Sequence, residues 1–136
     1  SLQAGVKITN LVPKNLTVYA NLLKFNQLMA NLVRNAIDSY DNIDRTNKII
    51  MINGESAAKD IIITVRDFGS GIDPKQLKQI FKPLFTTKTP DKGTGLGLSI
   101  TKEIVEKDFS GTIGVKSSLG EGSVFLIKLK QLAIAN

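Results

Sequence analysis

Two asparagines on a predicted helix are the first residues whose type and spacing could support chemistry. Asn31 and Asn35 are four positions apart, so both amides lie on one face of a helix. Their oxygens could hold Mg²⁺ and its waters, because hard cations prefer oxygen ligands. A solvated helix face is the alternative explanation. The polar stripe that supports this alternative contains Lys24, Gln27, Asn31, Arg34, Asn35 and Asp38.

A glycine cluster at the start of a later predicted helix is the second candidate. Gly93, Gly95 and Gly97 alternate within the segment 93–98. Glycines let the backbone approach a ligand closely, and a helix start offers free N–H groups and a positive dipole to an anion. The segment therefore predicts a phosphate-binding loop, although it is neither a Walker A loop nor a dinucleotide-binding fingerprint. A flexible loop entering a helix would contain the same residues.

A carboxylate between an apolar run and two glycines is the third candidate. Asp67 follows the run 61–65, and Gly69 and Gly71 follow Asp67. A carboxylate at a strand end can accept a hydrogen bond from an exocyclic amine such as that of adenine, and the glycines would leave room for a flat ring. The Asp-Phe-Gly sequence does not indicate a protein kinase, since no His-Arg-Asp loop is possible without histidine. A β-turn capped by Asp67 is the alternative.

The segment 81–88 joins aromatic residues to a basic, hydroxyl-rich end. Phe81 and Phe85 could anchor a lid, and Thr87 and Lys88 could then contact phosphates. A hydrophobic plug followed by a solvated basic loop is the alternative.

Composition limits the function classes. The chain has 136 residues, no cysteine and no histidine, and a net charge of +6. It therefore has no disulfide framework, thiolate metal site or histidine general base, and the charge favours an anionic partner. Aromatic residues are only 6% of the chain, too few for the stacking surfaces of a nucleic-acid-binding domain. No apolar run approaches the ~18 residues of a membrane span, and the first residue, Ser1, suggests a piece of a longer protein.

Apolar periodicity and turn residues predict the elements that position these candidates. The predicted elements are strands at 5–8 and 16–20, a helix at 21–40, strands at 49–52 and 61–65 around a turn at 54–59, a short helix opened by Asp73 and Pro74, a mobile loop at 86–94, a helix at 96–107, and strands at 112–117 and 122–130. Adjacent hairpins mixed with helices indicate one domain, 1–136, with an α+β sandwich in which helices cover one face of a mixed sheet.

The order of the four segments resembles a known family. The segments 31–36, 67–72, 81–88 and 93–98 are similar to the N, G1, F and G2 boxes of sensor histidine kinases, and 111–113 and 120–125 are similar to the family's closing hairpin. The resemblance extends from about Gly5 to Leu129. It implies the ATP-binding catalytic domain with the Bergerat fold, which DNA gyrase and heat-shock-90 chaperones share, and an ATP lid at about 86–94.

The resemblance also implies roles for single residues. Asn35 is similar to the Mg²⁺-binding asparagine, and Asn31 lies where gyrase-type ATPases have a glutamate base. Asp67 is similar to the adenine-binding aspartate. The remaining implied nucleotide contacts are Gly69, Gly71, Ile72, Thr87, Lys88, Gly93, Thr94, Gly95, Leu96, Gly97 and Leu98. Asp38 differs from the basic residue that many family members have there, so the implied phosphate contact passes to Arg34 or Lys88.

The function implied is transfer of the γ-phosphoryl group of Mg-ATP to a histidine on a separate helical phosphoacceptor domain, through which the parent protein dimerises. A response regulator would then receive the phosphoryl group. The implied location is the cytoplasm, in a parent that could be membrane-anchored, with no direct contact between this domain and membrane or nucleic acid. An ATP hydrolase of the same fold is one alternative, which the amide at Asn31 disfavours. A nucleotide-binding domain without transferase activity is another.

Overall fold

A computed structural model of the chain describes residues 5–14, 16, 21–41, 43, 48–83 and 97–130. The elements in these ranges are β1 (Val6–Asn10), α1 (Leu22–Asp38), β2 (Lys48–Ala57), β3 (Asp60–Asp67), α2 (Gly97–Glu103), which continues as a π-helical turn (Ile104–Asp108), β4 (Thr112–Ser118) and β5 (Gly122–Lys130). None of the helices in these ranges is long and apolar enough to cross a membrane.

The strands form a mixed five-stranded sheet with the order β1-β2-β3-β5-β4. β1 runs parallel to β2, and the other three neighbouring pairs are antiparallel. In β3 and β5, alternate residues point to the core: Ile61, Ile63, Val65, Phe125, Ile127 and Leu129 are all buried. Arg66 and Lys128 are exposed on the opposite face. The single buried face confirms the predicted two-layer α+β architecture.

Helix α1 provides most of the layer that covers the sheet. The Asn21 side chain caps its start by accepting a hydrogen bond from the Lys24 N–H at 3.2 Å. Leu28, Leu32 and Ala36 recur at helical spacing and are buried in the core. Asn31 and Asn35 lie beside this buried stripe and are half-buried. The helix spans Leu22–Asp38, close to the predicted bounds of 21–40.

The predicted turn at 54–59 is wrong. Strand β2 continues through Gly54 to Ala57, and the reversal occurs at Ala58 and Lys59. A Cβ on Gly54 would lie 2.9 Å from the Leu16 side chain, so this glycine serves close packing in a strand. The reversal has no sequence signal, because Ala58 adopts a positive φ of 56° without being glycine or asparagine.

The short helix predicted at Asp73 is also absent, because residues 74–81 form consecutive turns. The backbone hydrogen bonds in this segment join residues three apart, and they follow one another without forming the repeating pattern of a helix. The N–H groups of Gln76, Gln79 and Lys82 donate to the carbonyls of Asp73, Gln76 and Gln79, respectively. The Asp73 carboxylate caps the first turn by accepting from the Lys75 N–H at 2.9 Å. Packing of Phe81 edge-on against Phe125, at 6.2 Å between ring centroids, fixes the end of this segment.

Several predictions lie outside the described residues. They concern residues 17–20 of the second strand, the lid at 86–94, and Leu96 at the start of the predicted helix. Within the described part of that helix, the α-helical hydrogen bonding ends at Glu103, and the predicted end at Lys107 falls inside the π-helical turn.

Candidate functional site

Asp67 is the last residue of β3 and the central residue of the candidate site. Only 2% of its surface is exposed. The Gly69 backbone N–H donates a hydrogen bond to Asp67 Oδ1 at 2.9 Å. Strand pairing places Asp67 opposite Ser123, so this residue lies where β3 ends and the antiparallel β5 begins.

Burial raises the pKa of Asp67 above its ordinary value, because the charged form loses hydration. Hydrogen bonds from the Gly69 backbone, the Ser39 hydroxyl and the Ser123 backbone act in the opposite direction and lower this pKa. The residue is therefore a buried carboxyl whose Oδ1 is held by the Gly69 N–H. This bond caps the turn that follows β3, as the alternative interpretation of the sequence requires, and a buried carboxyl can also accept a hydrogen bond from an amine of a ligand.

The Tyr40 hydroxyl fixes the loop that follows Asp67. Tyr40 is 1% exposed, and its oxygen accepts the Phe68 N–H at 2.8 Å and the Ile49 N–H at 3.2 Å. The same hydroxyl donates to the Ile49 carbonyl. One side chain thus satisfies the backbone at the start of β2 and just after β3, which sets the direction in which the loop leaves the sheet.

Close backbone packing explains the two glycines of this loop. A Cβ on Gly69 would lie 2.2 Å from Ser39 Oγ, and a Cβ on Gly71 would lie 2.1 Å from the Ser118 carbonyl oxygen. Gly71 also has a φ of +70°, which L side chains adopt at a cost. On the side where each Cβ would lie, the loop packs against the end of α1 or the β4–β5 turn, and room for a flat ring beside these glycines stays a prediction.

The β4–β5 turn holds the same loop from the other side. Ser117 Oγ accepts the Ile72 N–H at 2.8 Å and donates to the Gly122 carbonyl at 2.9 Å. The Ser70 carbonyl accepts the Gly120 N–H at 2.7 Å. The loop 67–72 is therefore fixed by the end of α1 and by the β4–β5 hairpin.

The two asparagines of α1 lie at the opposite side of the site. Asn31 is half-buried, and its Nδ2 donates to the carbonyl oxygen of Gly97 at 3.4 Å. That carbonyl also accepts from the Thr101 hydroxyl at 2.8 Å. The structure thus brings Asn31, on the predicted asparagine face of α1, into contact with Gly97, the first residue of α2. This proximity is what a joint role of the two sequence segments in one site requires.

Asn35 lies one turn further along α1 and is half-buried. Its backbone carbonyl accepts the Ser39 N–H at 3.1 Å. Its side-chain amide has no hydrogen-bond partner among the described residues, and an amide oxygen is a suitable ligand for a hard cation. Within the described ranges, no group of three His, Cys, Asp or Glu side chains could hold a metal ion.

The remaining predicted site residues divide into two groups. Ile72 and Leu98 are half-buried and pack against the core. Thr87, Lys88, Gly93, Thr94, Gly95 and Leu96 lie outside the described residues.

Three residues that contact the loop 67–72 directly were not predicted from the sequence: Ser39, Tyr40 and Ser117. Ser39 had a usable signal, because it follows Asn35 by four positions and so continues the stripe of Asn31 and Asn35. Tyr40 and Ser117 had none, since their partners are backbone groups distant in sequence.

Comparisons with known proteins agree with this fold. A family model described as histidine kinase-, DNA gyrase B- and HSP90-like ATPase matches residues 20–133. The sensor histidine kinase ZraS of Salmonella typhi is 44% identical over 110 residues, which are 81% of this chain and 22% of that protein. The C4-dicarboxylate transport sensor protein DctB of Rhizobium meliloti is 37% identical over 122 residues, 90% of this chain and 19% of that protein.

A similar solved structure is the nucleotide-free catalytic domain of histidine kinase ThkA. Its TM-score is 0.79 at 31% identity, with 93% of this chain and 80% of that chain covered. Full-length ShkA in complex with AMPPNP has a TM-score of 0.77 over 92% of this chain and 25% of that chain, and its 24% identity shows the fold alone. The chain spans about a fifth of the length of the sensor kinases that it matches.

Proposed function

Because the chain belongs to the family of histidine kinase-, DNA gyrase B- and HSP90-like ATPases, we propose that it is the catalytic domain of a two-component sensor histidine kinase. Its mixed sheet with helices on one face is the Bergerat fold that the sequence predicted. The proposed reaction transfers the γ-phosphoryl group of ATP to a histidine on a separate helical phosphoacceptor domain. The observation that supports it best is the buried Asp67 at the end of β3, whose Oδ1 accepts the Gly69 N–H at 2.9 Å.

At the base end of the site, Asp67 would accept a hydrogen bond from the exocyclic amine of adenine. The carboxyl is already oriented by the Gly69 N–H, and burial excludes water that would compete for it. A hydrogen bond to a charged acceptor is worth roughly 1.5–3 kcal/mol. Gly69 and Gly71 would act indirectly, by allowing the loop to dock, and Ile72 would pack beside the base.

At the phosphate end, the start of α2 and the preceding glycine segment 93–96 would face the phosphates, together with Thr87, Lys88 and Leu98. The Asn35 amide oxygen would hold Mg²⁺, which neutralises phosphate charge when it is bound. Catalysis in phosphoryl transfer is mainly positioning and electrostatics, so the fold supplies most of what the reaction needs.

Asn31 favours a kinase over a hydrolase. Its neutral amide cannot take a proton from water near pH 7, so it cannot serve as the general base of ATP hydrolysis. Its contact with Gly97 gives it a positioning role between α1 and α2. The chain has no histidine, so the phosphoryl acceptor must be on another domain.

The other partners follow from the same proposal. The parent protein would dimerise through its helical phosphoacceptor domain, and a response regulator would receive the phosphoryl group afterwards. The domain would act in the cytoplasm, whether or not its parent is anchored in a membrane. It would contact neither the bilayer nor nucleic acid itself.

Calorimetry tests the nucleotide part of the proposal. We expect ATP and ADP to bind the chain more tightly with Mg²⁺ than with a chelator, and Asn35→Ala to abolish that difference. Asn26→Ala is the matched control, because Asn26 is an exposed asparagine on the same helix. Equal affinity with and without chelator would remove the metal role from Asn35.

Radiolabelled ATP tests the transfer. The chain alone should take up no acid-labile label, whereas its parent's helical domain, added in trans, should become labelled on histidine. Asn35→Ala should abolish that label. Fast ATP turnover by the isolated chain, lost in Asn31→Ala, would instead support an ATP hydrolase.

A further inference from the structure

Strand β4 lies at one edge of the sheet, away from the candidate site's asparagines. In the described part of the chain it pairs with β5 on one side only, so its other side presents backbone N–H and C=O groups that no strand satisfies. Exposed and half-buried residues alternate along it. Ile113 and Val115 pack against the core, which leaves Thr112, Gly114 and Lys116 on the outer face of the sheet.

An apolar side chain lies uncovered beside this edge. Leu126 of β5 is 36% exposed on the same outer face, and strand pairing places it opposite Gly114. A Cβ on Gly114 would meet nothing within 4 Å, so β4 provides no side chain that covers Leu126 from that direction. The outer face therefore has a gap between Thr112 and Lys116, through which Leu126 can be reached from the free edge of β4.

The charges around this gap have one sign. Lys116, Lys128 and Lys130 are the only charged residues of β4 and β5, and each of them is exposed. Strand pairing places Lys128 opposite Thr112, so lysines flank the gap on both sides. Neither Lys116 nor Lys128 forms an ion pair with a carboxylate of the described residues. An anionic partner would therefore meet two cations that are available to it.

We propose that the free edge of β4 binds an extended, acidic segment of a partner protein as an additional strand of the sheet. The backbone of this segment would pair with the unsatisfied N–H and C=O groups of β4. An apolar side chain opposite Gly114 would contact Leu126 through the gap. The two residues would be two strand spacings apart, about 10 Å, a distance that two large side chains can bridge over a glycine.

Charge favours this occupant over a second copy of the chain or a nucleic acid. Acidic residues two positions before and after the apolar one would lie near Lys116 and Lys128, and opposite charges on neighbouring strands stabilise pairing. β4 itself has no carboxylate, so two copies paired edge to edge would bring together cations only. The outer faces of β4 and β5 have no aromatic side chain on which a nucleic-acid base could stack.

A synthetic peptide and the isotope-labelled chain test the proposal. The peptide has seven residues, with glutamate at the second and sixth positions, leucine at the fourth, and threonine or valine elsewhere. We expect it to shift the backbone amide signals of β4 in NMR spectra and to protect the N–H groups of that edge from hydrogen exchange. A peptide with lysine in place of glutamate should bind about five-fold more weakly or worse. A peptide N-methylated at its three central residues should not bind.

Two variants of the protein test the residues of the gap, with Lys78→Glu as the matched control. Lys116→Glu reverses a charge beside the gap, and Leu126→Thr removes the apolar contact but keeps a residue that favours strands. Each should weaken binding of the acidic peptide by about five-fold. Both positions are exposed, so neither change should prevent folding. Lys78→Glu changes the net charge equally at an exposed position outside the sheet and should match wild type.

Other results would overturn the proposal. If the acidic peptide shifts no signal of β4, or binds Lys116→Glu as tightly as wild type, the edge is not a site for an acidic segment. Shifts caused by phosphatidylglycerol vesicles or duplex DNA, but not by the peptide, would assign the basic face to a membrane or a nucleic acid instead. Signals of β4 that shift with protein concentration alone would show that a second copy occupies the edge.

Discussion

The two ends of the site are built differently. At the base end, the loop 67–72 is held by Tyr40, Ser117 and backbone bonds to the end of α1 and to the β4–β5 turn. At the phosphate end, a 3.4 Å bond from Asn31 joins α1 to the first residue of α2. A Cβ on Gly71 would meet backbone at 2.1 Å, whereas a Cβ on Gly97 would meet nothing within 4 Å.

This difference shows which part of the site the fold prepares before a ligand arrives. Hydrogen bonds fix the carboxyl and the loop 67–72 in the absence of a ligand, so we expect little ordering entropy to oppose binding there. The described hydrogen bond from Asn31 to the start of α2 is long, at 3.4 Å, so we expect the position of that helix start to respond more readily to a bound phosphate. Under the proposed function, we expect substitutions at the base end to change both stability and nucleotide binding, and substitutions at the phosphate end to change mainly binding and transfer.

Replacing one glycine at each end gives the largest predicted contrast. Gly71→Ala should lower the free energy of unfolding by about 3 kcal/mol, because it combines an unfavourable positive φ with a backbone overlap. Gly97→Ala should leave it unchanged or raise it by up to about 1 kcal/mol, because alanine is the better helix former. Urea unfolding measures both. Equal losses in the two variants would contradict the comparison.

The Tyr40 hydroxyl is the next largest test. Tyr40→Phe keeps the shape of the ring but leaves the buried N–H of Phe68 without its acceptor and removes two bonds to Ile49. We expect a loss of about 2 kcal/mol in the free energy of unfolding, typical of an unsatisfied buried group. ATP affinity, measured under conditions where the variant is folded, should fall as well. A variant as stable as wild type would show that the loop does not depend on this anchor.

The sequence predicted the elements with strong periodicity and missed the features that depend on tertiary packing. The apolar face of α1 and the β-branched run of β3 are visible in the sequence, and the order of the four boxes implied the fold. The reversal at Ala58 and the strand position of Gly54 could not be predicted, since each depends on a neighbour distant in sequence. The anchors of the Asp67 loop were missed for the same reason: hydrogen bonds from side chains to distant backbone leave no local pattern.

The buried carboxyl of Asp67 gives the base end a pH dependence that Asp67→Asn should remove. In the unfolded chain this carboxyl ionises near pH 3.8, and in the folded chain its pKa is raised. Between these two values the folded state binds more protons, so wild-type stability falls as pH rises. The stability of Asp67→Asn relative to wild type should therefore increase across this interval and become constant above it. Chemical unfolding of both proteins from pH 3 upward measures this difference in the free energy of unfolding. The contributions of all other carboxyls are the same in both proteins and therefore cancel. A constant difference would mean that the folded pKa is not raised.

The smallest predicted effect concerns the hydrogen bond from Asn31 to Gly97, which joins α1 to the start of α2. Asn31→Ala removes a half-exposed hydrogen bond of 3.4 Å, worth at most about 0.5 kcal/mol at that length. Alanine is also the better helix former, by roughly 0.6 kcal/mol, and the Gly97 carbonyl keeps the Thr101 hydroxyl at 2.8 Å. The two effects oppose each other, so the free energy of unfolding should change by less than about 0.5 kcal/mol.

Asn26→Ala isolates the bond, because Asn26 is exposed on the same helix and its replacement gains helix propensity alone. The difference between the two variants then reports the Asn31–Gly97 contact. A difference above about 1.5 kcal/mol would show that this end of the site is held as firmly as the base end.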